Sequence, residues 1–293
     1  MQLQKMFPAV IVAFIALTGC ASSLNSTFVG VVIDNHEDAR DYQRGLQEAP
    51  LVQEYLVEGY ITRFLAFFDV NDLPQSVGPI RSVRPYFVDG SSPVLSGIFH
   101  VGGSPDGLEK LMQENAPTSF NAIKMDTRFE YDDDAPAPHN RFITRNEMTE
   151  LLADTDAAPM ELPLARGSLE GQPAARITIN HYNPVHNVAY AYDPDIRAYT
   201  KEINGTEYAN HPRNIVILET DVQDTGILGR LDVRMTGGGK AVIFRDGEFR
   251  EARWKKDDGK FFEFADAEDA PILFSKGQVW MIVLDSLDRV KWE

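Results

Sequence analysis

Two arginines three positions apart follow a glycine–proline turn in Gly78-Pro79-Ile80-Arg81-Ser82-Val83-Arg84. Guanidinium groups placed this way suit paired, charge-assisted hydrogen bonds to a phosphate or carboxylate. The competing explanation is that both pair with nearby acids, which this chain supplies freely. A second segment, His100-Val101-Gly102-Gly103-Ser104-Pro105, reads as a strand end, two glycines and a helix start. Free backbone N–H groups converge at such a junction and favour an anion. A third segment, Ala137-Pro138-His139-Asn140, presents an imidazole and an amide on a loop. His139 there has the chemistry of a general base or a ligand. With Arg63 these segments define one expectation. Arg63, Arg81, Arg84, His100, Gly102, Gly103, Ser104, His139 and Asn140 form an anion-binding set if they meet in space.

Other chemistries fail at the level of spacing. A nucleophile elbow around Ser104 needs glycine where Asp106 stands, and Pro105 has no N–H for an oxyanion hole. Ser104 therefore reads first as a helix N-cap. No metal site and no cofactor are expected: the six histidines are scattered, and His181 and His186 match no common ligand spacing. Asp132-Asp133-Asp134 lacks the alternation of a calcium loop and reads as a solvated turn. Gly237-Gly238-Gly239-Lys240 lacks the leading glycine and trailing Ser/Thr of a phosphate loop and reads as a turn between strands. Arg250, Arg253, Lys255 and Lys256 form a basic strand, read as solvated charge or a ligand face.

The elements that must carry these residues follow from apolar runs and turn residues. Phe28–Ile33, Ile61–Phe68 and Gly97–Val101 read as buried strands. Pro105 to about Asn115 reads as a helix opened by Ser104, and Thr144 to about Asp154 as a closing one. Interleaved strands and helices predict a mixed α/β region over 28–155. Pro159, Pro163, Gly167, Gly171 and Pro173 mark 156–173 as a linker. Beyond it come short strands at 175–182, 188–192, 198–203, 214–219, 228–235, 241–245, 249–254 and 279–284. Asn204-Gly205 and Asp246-Gly247 are hairpin turns. Residues 174–293 are thus expected to be mostly antiparallel β. The whole is α+β: an N-terminal mixed α/β domain followed by a mostly antiparallel β C-terminal domain.

The first twenty residues carry an address. Lys5 precedes the apolar run Met6–Leu17, and Leu17-Thr18-Gly19-Cys20 ends at the only cysteine. A weakly basic start, an apolar segment too short to span a bilayer and a small residue before cysteine read as a cleaved lipoprotein signal, residues 1–19. Cys20 is then the lipidation site, and 20–27 a polar tether whose seven residues after Cys20 reach at most about 25 Å. Cleavage removes Lys5 and takes the formal charge from −16 to −17. Such acidity argues against nucleic acid as a partner. It leaves the membrane contact to the lipid on Cys20 rather than to a basic patch. One cysteine allows no disulfide within the chain.

Several motifs together resemble the YerB-like lipoproteins, a two-part family of unknown function common in Gram-positive bacteria. They are the lipobox, Glu58-Gly59-Tyr60-Ile61-Thr62-Arg63-Phe64, Gly78–Arg84, His100–Pro105 and Pro138-His139-Asn140. In the second half they are Gly237-Gly238-Gly239-Lys240-Ala241, Asp246-Gly247, Trp254-Lys255-Lys256 and Gly277-Gln278-Val279-Trp280. The resemblance implies a two-part architecture on the extracytoplasmic face, at a cell surface or in a periplasm, and no established reaction. The function expected is a membrane-anchored lipoprotein that binds an anionic envelope ligand or an envelope protein. The alternative is an envelope enzyme acting on a lipid-linked diphosphate or glycan, loosely similar to the LytR-CpsA-Psr wall-polymer ligases. For that reading an acid such as Asp69 or Asp89 would need to lie beside the arginines.

Overall fold

The computed structural model describes residues 25–153, 155, 160–161 and 170–293. The signal segment 1–19, Cys20, tether residues 21–24 and most of 156–173 lie outside the described residues.

The N-terminal region supplies β1 (Phe28–Asp34), β2 (Leu51–Leu56), β3 (Thr62–Asp69), α1 (Pro85–Ser91), β4 (Leu95–His100), α2 (Pro105–Lys110), β5 (Thr118–Asn121) and α3 (Arg145–Leu152). The C-terminal region supplies β6 (Arg176–Ile179), β7 (Val188–Asp193), β8 (Ala198–Ile203), β9 (Thr206–Tyr208), β10 (Asn214–Glu219), β11 (Gly237–Arg245), β12 (Glu248–Lys256), β13 (Glu263–Ala265), β14 (Val279–Leu284) and β15 (Val290–Trp292). The fold is α+β, with few and short helices and a β-rich second half.

The two regions share one sheet. An eleven-stranded sheet runs from Gln172–Pro173 through β12, β11, β10, β14, β2, β3, β1 and β4 to β5, with β13 beside β12. The join is β14 against β2, parallel, with Val279 opposite Leu51 and Ile282 opposite Glu54. The stretches 28–155 and 174–293 are therefore continuous through backbone hydrogen bonds rather than tied by a linker alone. At the N-terminus, Asn25–Ser26 pairs with Met160–Glu161, and the Thr27 carbonyl accepts from Val70 N–H at 3.0 Å. Residues 25–27 of the expected tether thus belong to the folded unit.

Both faces of the large sheet are covered, which is why its central strands are apolar almost without alternation. Phe28 and Val32 pack with Phe87 and Val88 of α1 on one face. Val29, Val31 and Ile33 share the other face's core with Ile177, Tyr190 and Tyr199. That second layer is a five-stranded antiparallel sheet in the order β9-β8-β7-β6-β15.

Local signals placed most elements. Ser104 Oγ accepts from Gly107 N–H at 3.2 Å, and Thr144 Oγ1 from Glu147 N–H at 3.4 Å, so both helices start where their caps stand. Asn204-Gly205 and Asp246-Gly247 turn with positive φ at both positions. Three expectations need correction. Helix α2 stops at Lys110, short of Asn115. Residues 228–235 hold only a three-residue strand, Leu231–Val233. Gly237–Gly239 is not a turn but the first part of β11, paired with Lys256, Lys255 and Trp254. A Cβ at Gly239 would stand 2.6 Å from both the Glu219 carbonyl and Trp254 Nε1, so the strand passes only without a side chain.

Candidate functional site

Strands β1 and β4 run parallel and in register only as far as Val31 and Phe99. Beyond that point they diverge, and the segment 79–83 fills the gap. Val32 C=O accepts from Arg81 N–H at 2.9 Å, while Val101 N–H donates to Arg81 C=O at 3.0 Å. Asp34 N–H donates to Pro79 C=O at 2.8 Å, and Val83 N–H to Gly102 C=O at 3.2 Å. The glycine–proline segment is thus wedged between two strands at their carboxyl ends. In open sheets of this kind that edge is where ligands bind.

Side chains from five segments meet there. Asp34, at the end of β1, is buried and lies opposite Arg63 of β3. Its Oδ2 is 2.9 Å from Arg81 Nε and 2.7 Å from His139 Nδ1, and its Oδ1 accepts from His36 N–H at 3.0 Å. Arg63, also buried, donates from Nη1 to Ser82 C=O at 2.9 Å, and its Nε has no hydrogen-bond partner. Arg84 forms a fork on Glu58, Nε to Oε1 and Nη2 to Oε2, both at 2.6 Å. His36 stacks on His139 with ring centroids 4.9 Å apart and 18° between planes.

The electrostatics follow from crowding. Burial works to raise the Asp34 pKa, but Arg81, the His36 N–H, Arg63 and His139 outweigh it, so Asp34 titrates below its usual range. Burial likewise opposes Glu58 ionisation, and Arg84 overcomes it. Arg63 is pushed down to about 10 by burial first and by its neighbour Arg84 second. Three arginines therefore face two carboxylates, leaving one positive charge uncompensated within the cluster. The cluster opens to solvent through Arg81, whose side chain is 25 % exposed, and through His36 at 37 %.

The expected residues divide sharply. Arg63, Arg81, Arg84 and His139 converge. Asn140 is tied instead to the neighbouring turn, its carbonyl accepting from Asp132 N–H at 2.9 Å, and the loop carbonyl that meets Arg81 is that of Pro138, at 3.3 Å from Nη1. The segment 100–104 faces inward instead. His100 is fully buried, donating from Nδ1 to Gly102 C=O at 2.7 Å and accepting at Nε2 from Ser119 Oγ at 2.8 Å. Burial pushes its pKa down to about 4, so it is neutral. Gly102 N–H is taken by Asn121 Oδ1 at 3.0 Å and Ser104 N–H by Val83 C=O at 3.3 Å. A Cβ on Gly103 would stand 2.7 Å from Val83 Cγ1. These N–H groups tie the segment to β5 and to the wedge, and α2 has only six residues, so no anion cradle forms there.

The acids beside the arginines are Asp34 and Glu58. Asp89 pairs with Lys110 at 2.7 Å, and Asp69 lies at the opposite end of β3 from Arg63. Asp34 carried one legible signal: a carboxylate closing the apolar run Phe28–Ile33. The basic strand around Trp254 is neutralised locally, Arg250 by Asp266 at 2.5 Å and Arg253 by Asp269 at 2.7 Å. Asp132 accepts from Arg44 and from Asp134 N–H, as a turn residue does.

A second polar cluster had no sequence signal. Between the two sheets lie buried Glu54, Lys201, His181, His186 and Arg40. Trp280 Nε1 donates to Glu54 Oε2 at 2.8 Å, and Lys201 Nζ stands 3.9 Å from the centre of the Trp280 ring. Arg40 Nη2 donates to His186 Nδ1 at 2.9 Å. Burial lowers Lys201 to about 8 and, with Arg40, His186 to about 3.

Two family models match the chain. One, "Protein of unknown function (DUF3048) N-terminal domain", covers residues 17–158, and the other, the DUF3048 C-terminal domain, covers 177–281. A Bacillus subtilis (strain 168) protein named "Putative lipoprotein YerB" is 32% identical over 276 residues, 89% of this chain and 82% of that protein. The crystal structure of the YerB protein from Bacillus subtilis superposes with a TM-score of 0.81 at 28% identity, covering 92% of this chain and 94% of that one.

Proposed function

The chain belongs to the DUF3048 family, and from that premise we propose that it is a lipid-anchored extracytoplasmic protein that binds an anionic ligand of the cell envelope. The anchor reading rests on the linear order of Lys5, the apolar run and Leu17-Thr18-Gly19-Cys20, and is supported by the relative's name. With residues 25–27 folded, four residues separate Cys20 from the first strand, a reach of at most about 14 Å. A ligand site on this unit then works close to the membrane. Labelled fatty acid should enter the chain in cells and be lost in Cys20→Ser; equal label in both overturns the anchor.

One observation carries the ligand reading: three arginines from two segments, Arg63 of β3 and Arg81 and Arg84 of the wedge, meet two carboxylates at the carboxyl ends of parallel strands. Guanidinium groups held by Asp34 and Glu58 are pre-organised, so an incoming phosphate meets fixed donors rather than mobile side chains. Arg81 is the most exposed of the three and is the donor expected to reach outward. Fluorescent polyprenyl phosphate in detergent micelles should bind the chain, and Arg81→Ala should weaken it at least about tenfold. Unchanged affinity in that variant overturns the arginine site.

The enzymatic alternative has one supporting observation. His139 Nδ1 is hydrogen-bonded to buried Asp34 at 2.7 Å, which orients the ring and keeps Nε2 out of that bond, the arrangement of an oriented base. It predicts turnover of a lipid-linked diphosphate that disappears in His139→Gln; binding without turnover returns the site to recognition alone.

A further inference from the structure

Among the described residues, one group of three His, Cys, Asp or Glu side chains converges with its donor atoms within 4.8 Å of one another: His36, Asp38 and His139. Sequence spacing hid it, because His139 arrives from a loop more than a hundred positions away. We propose that these three side chains bind a divalent transition-metal ion of the zinc class.

Four observations carry the assignment. First, His139 is oriented as metal-binding imidazoles are. Its Nδ1 donates to Asp34 Oδ2 at 2.7 Å, which fixes the tautomer and leaves the Nε2 lone pair available. The carboxylate behind it is buried, as the outer-shell carboxylates that orient metal-binding imidazoles are. Second, His36 Nδ1 and Asp38 Oδ2 are 3.5 Å apart. Two donors about 2.0–2.1 Å from one tetrahedral ion stand roughly 3.3 Å from each other, so this pair is near coordination distance already. Third, His36 and Asp38 stand on one side of the turn that opens the short helix Glu37–Tyr42, and the His36 Nδ1 that accepts there from Asp38 N–H at a long 3.3 Å would exchange that bond for the ion. Fourth, the His36 ring lies stacked on His139, which brings the third donor to the other two.

The donor set of two imidazoles and one carboxylate selects zinc, iron or manganese over calcium or magnesium, which prefer oxygen alone. Three protein donors leave at least one position open, as in sites that hold a water or a substrate atom. Asp38 is 62 % exposed, so the site faces solvent and can load after folding. It also adjoins the arginine cluster, because Arg81 Nε and His139 Nδ1 contact the same Asp34 oxygen. The charges facing the site are Asp34 and Asp38 on one side and Arg81 and Arg63 on the other, so the ion is held by its three donors and not by a net negative field.

The test uses the full chain in detergent carrying Cys20→Ser, which removes the one thiol that would compete for the ion. Zinc alone is titrated against a chromophoric chelator, and cobalt is substituted for its visible bands. About one equivalent should bind, and cobalt should show the intense bands of four- or five-coordinate geometry. His139→Ala and His36→Ala should each weaken zinc at least about tenfold, while His211→Ala leaves it unchanged. His36 is a surface residue, so its variant stays informative if His139→Ala fails to fold. Uptake well below one equivalent, or full affinity in His36→Ala, overturns the site. Zinc uptake without polyprenyl phosphate binding keeps the metal site and removes the anion reading; the reverse result removes the metal site alone.

Discussion

Two clusters of charge in this molecule differ in one respect that decides their roles. Both assemble acids, bases and histidines from distant parts of the chain. The Asp34–Arg81–His139 cluster lies at strand ends and opens through Arg81 and His36. The Glu54–Lys201–His186 cluster lies between two sheets and is sealed. In the first, cations outnumber carboxylates and one of them reaches solvent. In the second, Arg40 and Lys201 likewise outnumber Glu54, but all are buried against other parts of the protein: Glu54 meets Trp280 and Lys201, and Arg40 meets His186. Polarity alone therefore does not mark a ligand site. What sets the two apart is access, because both hold more cations than carboxylates.

The comparison breaks most readily at Glu54. Glu54→Ala strands the Lys201 ammonium and the Trp280 N–H in a low-dielectric interior, and should cost about 3–5 kcal/mol in urea unfolding. A loss below about 1 kcal/mol would mean the sealed cluster carries no structural load. Replacing both partners, Glu54→Gln with Lys201→Met, should recover most of that loss, because a buried pair exchanged for well-packed neutral groups is close to break-even.

Acid should act next. His186 is held down to about 3 by burial and Arg40, and His100 to about 4 by burial, against an ordinary value of 6.5. The unfolded chain then binds more protons between these values, so the stability from both residues is complete above about pH 6.5. It falls as the pH drops toward 4 and then 3. Each histidine should contribute on the order of 1–2 kcal/mol of loss between pH 7 and pH 5. Urea midpoints at the two pH values measure it, and His100→Gln should make the difference smaller. A midpoint that does not move would mean these rings are hydrated.

The open cluster should respond in the opposite sense. Arg81→Ala should cost under about 1 kcal/mol, because its ion pair is partly solvated and Asp34 keeps His139 and the His36 N–H. Its main effect is expected on ligand affinity. A large stability loss with intact binding would make Arg81 a strut like Lys201. The smallest effect is expected for His36→Ala, a few tenths of a kcal/mol in thermal unfolding, from the half-exposed cap and ring stack. That variant isolates any role of the ring in binding.

How much of this was legible can be followed residue by residue. Strand β1 announced itself through an unbroken apolar run, and both hairpin turns through Asn204-Gly205 and Asp246-Gly247. Strand β2, which joins the two regions, did not. Gln53 and Glu54 interrupt it, and they are tolerated only because Gly90 C=O, Tyr55 and Trp280 satisfy them from elsewhere. The arginines were visible as a motif, and Arg63, Arg81 and Arg84 do meet. Their counter-ions were not visible, since Asp34 and Glu58 are ordinary acids until the fold sets them opposite. His100 also looked suited to a ligand, but its ring is consumed by Gly102 C=O and Ser119, while Ser104, read first as a helix cap, is one.

The sequence by itself determined what depends on neighbours along the chain: the apolar strands, the caps and the turns. These are set by φ/ψ preference, side-chain period and linear order, each read over a few residues. Only the tertiary structure decided that one sheet crosses both regions, which charges are neutralised, and which imidazoles face each other. Those outcomes depend on contacts between residues tens to hundreds of positions apart, and on burial. No local window contains either of them.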